Sequence, residues 1–132
     1  MEQSVKINVK KIWSLKVVAL LSVFFFPIAG AVVALVNYAI IGNVKKGIIL
    51  LLKVIATSLI LNVLFIFINK NAEFNSFIVA IIVVFLIYSD QRKLFKKWIE
   101  ENPNTKPRSW VSAFFLALVV DLIIVFILYF TG

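Results

Sequence analysis

Four long apolar runs make up most of the chain: Val17 to Val44, Ile48 to Ile68, Phe74 to Ser89 and Trp110 to Phe130, each bounded by charged or polar residues. A helix rises about 1.5 Å per residue and the hydrocarbon core of a bilayer is about 30 Å thick. The second and fourth runs, at 21 residues each, therefore predict one crossing apiece. The third has 16 residues and spans by extending at either end, with some bilayer thinning or snorkelling of flanking side chains. Transmembrane helices are expected at about 48–68, 73–90 and 110–130.

The first run is different. Its 28 uncharged residues would make a helix of about 42 Å, too long for one crossing and too short for two. At its middle stands Phe24-Phe25-Phe26-Pro27-Ile28-Ala29-Gly30. Proline lacks a backbone donor and clashes with the preceding turn, and glycine relaxes the steric limits on a tight bend. Two readings follow: a re-entrant helical hairpin over about 17–44, turning near Pro27 and Gly30, or one tilted helix kinked at Pro27, which a membrane tolerates.

Charge separates them, because orientation follows the Lys and Arg content of short loops. With four crossings, the N-terminal segment (Lys6, Lys10, Lys11, Lys16) and Lys70 share one side. The other side then carries eight basic residues, Lys45, Lys46, Arg92, Lys93, Lys96, Lys97, Lys106 and Arg108. A hairpin places twelve basic residues inside against Lys70 outside, leaving Lys53 within a helix. The expected protein is thus an all-helical, multi-pass membrane protein, one membrane domain over 1–132, with its N-terminus cytoplasmic and its C-terminus outside. Ala29-Gly30-Ala31 has the small-x-small form of a signal-peptide cleavage site, but cutting there would leave Val32 to Val44 too short to return Lys45 to the cytoplasm. The segment is read as retained.

Two basic stretches are expected at the membrane surface. At 91–101, Leu94, Phe95, Trp98 and Ile99 recur at helical spacing opposite Arg92, Lys93, Lys96 and Lys97. The N-terminal 1–16 repeats the pattern more weakly, with Val5, Val9, Ile12 and Trp13 on one side. Both serve as anchors, or recognise anionic lipid headgroups or an acidic partner. Nucleic acid does not suit lysines set among apolar anchors.

Composition narrows the chemistry. The 132 residues are 63% hydrophobic and 15% charged, with mean hydropathy +1.07, fourteen basic against six acidic side chains, and neither Cys nor His. That excludes disulfides, thiolate or imidazole catalysis, and Cys or His metal sites. Glu100 and Glu101 are adjacent and point apart on a helix, and no Gly-rich phosphate loop or Asp cluster occurs. No enzyme, cofactor or metal is expected. Asp121 lies about 16 Å along the last helix, where a carboxylate must face protein or water. Ser109, Ala113, Ala117 and Asp121 follow at i, i+4 spacing, a small-residue stripe for close helix packing, and Gly30 with Ala34 forms another. Lys53, Asn62 and Asn37 are the candidate partners of Asp121, Lys53 having the alternative of snorkelling to the headgroups.

Pro27-Ile28-Ala29-Gly30 with Asn37-Tyr38 and Gly42, then Tyr88, Gln91, Phe95, Ile99 and Ser109-Trp110, resembles a pattern in small uncharacterised bacterial membrane proteins over about two thirds of the chain. Those carry a Pro-x-Ala-Gly segment, a later Asn, a short basic loop and a late Tyr/Gln motif. The resemblance implies a bacterial inner-membrane location and no particular activity. Phe26 stands where glycine often precedes the proline, and Asp121 falls outside the pattern. The expected role is non-catalytic: helix–helix docking with a partner membrane protein or a second copy, as an accessory, regulatory or immunity-type protein. The alternatives are a small oligomeric transporter using Asp121 and a membrane-shaping hairpin.

Overall fold

The first apolar run is two helices. In the computed structural model, which describes residues 11–68 and 70–132, every regular element is helical: α1 (Leu15–Phe24), α2 (Pro27–Ile40), α3 (Val44–Ile68), α4 (Ala72–Glu101) and α5 (Trp110–Thr131). Three of them, α3, α4 and α5, are long and apolar enough to cross a membrane. The stretch expected at 1–16 is described only from Lys11 onward, and Val5, Lys6, Val9 and Lys10 lie outside the described residues.

The break falls at Phe25 and Phe26, slightly before the expected turn at Pro27 to Gly30. Pro27 opens α2 in its first turn, where its missing N–H would be unpaired in any case and its fixed φ already suits a helix. Gly30 is therefore inside α2, and its use is contact rather than bending. A Cβ built there would lie 2.6 Å from Ser22 Cβ and 2.9 Å from Ser22 Cα, so only glycine lets α1 and α2 approach this closely. At the other end of the pair, Trp13 N–H donates to Asn37 Oδ1 at 2.8 Å. Contacts of 22 with 30 and of 13 with 37 make α1 and α2 an antiparallel pair.

Ser14 caps α1, its hydroxyl accepting from Val17 N–H. At the far end of α2, Gly42 takes φ +83, Gly42 N–H reaches Ala39 O and Asn43 N–H reaches Tyr38 O. That paired closure of a helix C-terminus needs a left-handed residue, which glycine supplies. The chain then reverses into α3, where a Cβ on Gly47 would meet Leu35 Cα at 3.1 Å. Asn71 caps α4 by accepting from Phe74 N–H, and Glu73 stands in its first turn. The expected third span and the amphipathic 91–101 segment are one continuous helix of 30 residues.

The α1/α2 pair is the centre of the packing. Among the described residues α3 approaches α2 and α4, whereas α5 approaches only α1 and α2. The short pair is thus held between α3/α4 on one side and α5 on the other. Small buried residues make this possible: Ala29, Ala31, Ala34 on α2 and Ala113, Ala117 on α5 are fully buried. At about 15 and 21 Å, α1 and α2 stop well short of the length of their neighbours. Beyond the break α3 and α4 stay joined, Asn75 Nδ2 donating to Phe65 O at 3.3 Å, whereas on α5 every residue from Leu122 to Thr131 is exposed except half-buried Ile124.

Candidate functional site

Polar groups gather at the two ends of the α1/α2 pair. At its base, Asn37 is buried and uses its whole amide: Oδ1 accepts from Trp13 N–H, and Nδ2 donates to Trp13 O at 3.1 Å and to Gln91 Oε1 at 3.0 Å. Gln91, also buried, donates to Asp90 at 3.2 Å, and the Tyr38 hydroxyl donates to the same carboxylate oxygen at 2.6 Å. Trp13 extends the network to α5. Its indole N–H reaches Ser109 O and Ser112 Oγ, Arg108 lies 4.8 Å over its ring, and Arg108 N–H donates to Ile12 O. One asparagine thereby ties the N-terminal segment, α2 and α4 together, and Trp13 adds α5.

Asp121 sits at the opposite end, where α1 stops and α2 starts. Its two carboxylate oxygens accept from Phe26 N–H at 3.2 and 3.3 Å. The cause is local: a helix start leaves its first donors unpaired, Phe26 precedes α2 with no side-chain cap of its own, and the carboxylate from α5 supplies the acceptor. Phe25 and Phe114 pack edge to face beside it, 5.7 Å between centroids.

Lys53, Asn37, Asn62 and Asp121, expected as one cluster, are at three places. Asn37 is in the base network. Asn62 donates to Ser58 O on its own helix, and shares a depression of about 620 Å³ with Asp121. Ser58, Ser76 and Glu73 also line that depression, along with the turn residues Phe24 to Pro27. Lys53 is at the other end, in a cleft with Lys46, Lys93, Lys97, Asp90, Glu101 and Trp98. Lys53 is thus not the partner of Asp121; the backbone at Phe26 is.

The small-residue stripes are used within the chain. Gly30 and Ala34 face inward on α2, Ala113 and Ala117 are buried, and Ser109 is the N-cap of α5, accepting from Val111 N–H. Among the residues expected at a membrane surface, Arg92, Lys93, Lys96 and Lys97 are exposed, but Trp13 and Trp98 are 2% and 5% exposed. Both indoles are packing groups, Trp13 by its hydrogen bonds and Trp98 stacked on Phe95 at 5.7 Å. Gln91, Tyr38 and Asp90 carry the base network without having been singled out by chemistry. Their signal was the pair of amides Asn37 and Gln91, which need hydrogen-bond partners in an apolar setting.

Among the described residues no group of acidic, His or Cys side chains could hold a metal ion, and no buried side-chain polar atom lacks a partner. No protein-family model matches the chain, and no curated protein or solved structure is significantly similar to it. Any functional reading therefore rests on the residues themselves.

Proposed function

We propose that the protein is a non-catalytic integral membrane protein that docks another transmembrane helix, from a partner or a second copy, in the space beyond the α1/α2 break. In this reading α1 and α2 form a re-entrant hairpin entered from the cytoplasmic face, where the positive-inside rule puts the lysine-rich end. Helices α3, α4 and α5 cross, and the C-terminus is outside. The observation that carries the reading is the depression at the break. Its walls are apolar helix surface suited to lipid, yet its lining includes Asp121, Asn62, Ser58, Ser76 and Glu73. Hydrocarbon cannot hydrogen-bond such groups, whereas a docked helix bringing a polar side chain can. Since Gly30, Ala34, Ala113 and Ala117 are already consumed internally, the docking face is the exposed outer part of α5 and not the small-residue stripe.

Ile124 and Leu128 continue the face of Ala117 and Asp121, and Phe126 points the opposite way. With no native cysteine to interfere, Ile124→Cys and Leu128→Cys are expected to cross-link to a membrane protein or to a second copy in native membranes, and Phe126→Cys is not. If all three fail to cross-link while 124 and 128 react with a water-soluble thiol reagent, docking is wrong.

That second outcome would favour transport. The observation behind it is that Glu73 and Asp121 line the same depression, so carboxylates stand both at a helix end and midway along α5. Asp121→Asn would then abolish proton or substrate flux in proteoliposomes while leaving the fold intact.

A further inference from the structure

The cleft at the lysine-rich end has a composition that its own fold does not explain. It has a volume of about 770 Å³ and lies between the turn after α2, the first turns of α3 and the last turns of α4. Lys46 and Lys53 are seven residues apart on α3, and Lys93 and Lys97 four apart on α4, so each pair shares a helix face. Two neighbouring helices thus turn like charges toward one cleft, four lysines against the carboxylates of Asp90 and Glu101. Asp90 is already engaged by Tyr38 and Gln91. Among the described residues none of the four lysines has a hydrogen bond or ion pair. All four are exposed. Like charges set around one space repel unless an anion lies among them.

The rest of the lining says what kind of anion. Ile49, Leu50, Leu94 and Trp98 form apolar walls beneath the lysines, and exposed Ile48, Ile49 and Leu52 carry that apolar surface along the outside of α3. A small soluble anion has no use for such walls; a phosphate attached to acyl chains does. The geometry points to a binding site for an anionic phospholipid, with the headgroup phosphate among Lys46, Lys53, Lys93 and Lys97 and the chains running along α3. Arg92 and Lys96, equally basic and on the same helix, are outside the cleft and serve as internal controls. The site rests on the membrane placement argued above but not on helix docking at the opposite end.

The test is lipid retention by the full chain in a neutral detergent, read by native mass spectrometry after exposure to phosphatidylglycerol or to phosphatidylcholine. The wild-type chain is expected to retain phosphatidylglycerol selectively. Lys53→Gln with Lys97→Gln should weaken that retention about tenfold, Arg92→Gln with Lys96→Gln should leave it within about twofold, and Lys53→Arg with Lys97→Arg should restore most of it. Unchanged helical circular dichroism in each variant separates lost binding from lost folding. Equal weakening by both Gln pairs would reduce the site to diffuse surface charge and overturn it. Equal retention of phosphatidylcholine would do the same by making the groove merely apolar. Displacement of the lipid by millimolar glycerol phosphate would assign the lysines to a soluble phosphate instead. Failure of membrane placement would show separately, as a chain that extracts from membranes without detergent.

Discussion

The base and the far end of the molecule are built by opposite rules from equally apolar sequence. At the base, α1 and α2 fill the space between α3/α4 and α5, alanines bring backbones together, and Trp13, Asn37, Gln91, Asp90 and Tyr38 satisfy one another. Beyond the break α3 and α4 stay joined through Asn75, which donates to Phe65 O, but α5 stands apart from both, Phe67, Phe126 and Tyr129 are largely exposed, and polar side chains line an open depression. Hydrophobicity is no guide to the difference: α5 is strongly apolar on both sides of Asp121. Packing is decided by whether small residues let a neighbour in and whether buried polar atoms find partners. The base therefore specifies the fold, and the far end is left to its surroundings.

If that division is right, Asn37→Leu should have the largest effect on stability. It strips partners from Trp13 N–H, Trp13 O and Gln91 at once in a buried setting, a loss of about 3 kcal/mol, measured by denaturant titration in detergent followed by circular dichroism. A smaller loss, about 2 kcal/mol, is expected of Gly30→Ala, which drives a methyl into Ser22. Ser22→Gly in the same chain should recover part of it, because the two residues share one contact. Asp121→Leu removes the acceptor for Phe26 N–H and should cost about 1 kcal/mol. Asp121→Asn keeps an acceptor oxygen and should cost less. An Asp121→Asn change as harmful as Asp121→Leu would mean that the charge itself holds the break in place.

How much of this could be read from the sequence depended on whether a residue's partner was itself visible there. Pro27 announced an interruption, but proline marks the start of the following helix, so the turn expected near Pro27 to Gly30 falls slightly after the break at Phe25 and Phe26. Asp121 stood out because a carboxylate in an apolar run needs a reason. Its partner did not stand out, since the Phe26 N–H becomes available only once the chain has broken at that place. The aromatic residues misled for another reason. An indole at the end of an apolar run is equally suited to a membrane interface and to a buried corner with a hydrogen-bond acceptor, and Trp13 took Ser109 O and Ser112 Oγ as that acceptor. Gln91 was hidden by its neighbours, because the basic residues after it make the whole segment look like surface. The stripe of Ala113 and Ala117 was legible as a close-packing face, while the helix it packs on, α2 of the same chain, was not, because a periodicity describes one surface and carries no record of the other.

The smallest stability effect is expected where the comparison is most exposed to failure. Phe126→Ala and Val125→Ala alter α5 beyond the break, at side chains that are 64% and 52% exposed, so neither leaves an internal cavity. Each should change the unfolding free energy of the isolated protein by less than about 0.5 kcal/mol. Ile124→Ala, at the half-buried position on the Asp121 face of α5, should behave similarly in detergent yet weaken cross-linking at Leu128→Cys in native membranes if a docked helix rests there. A large loss of stability from Phe126→Ala would mean that the far end packs against something in the isolated chain after all, and the division between a self-packed base and an open end would have to be abandoned.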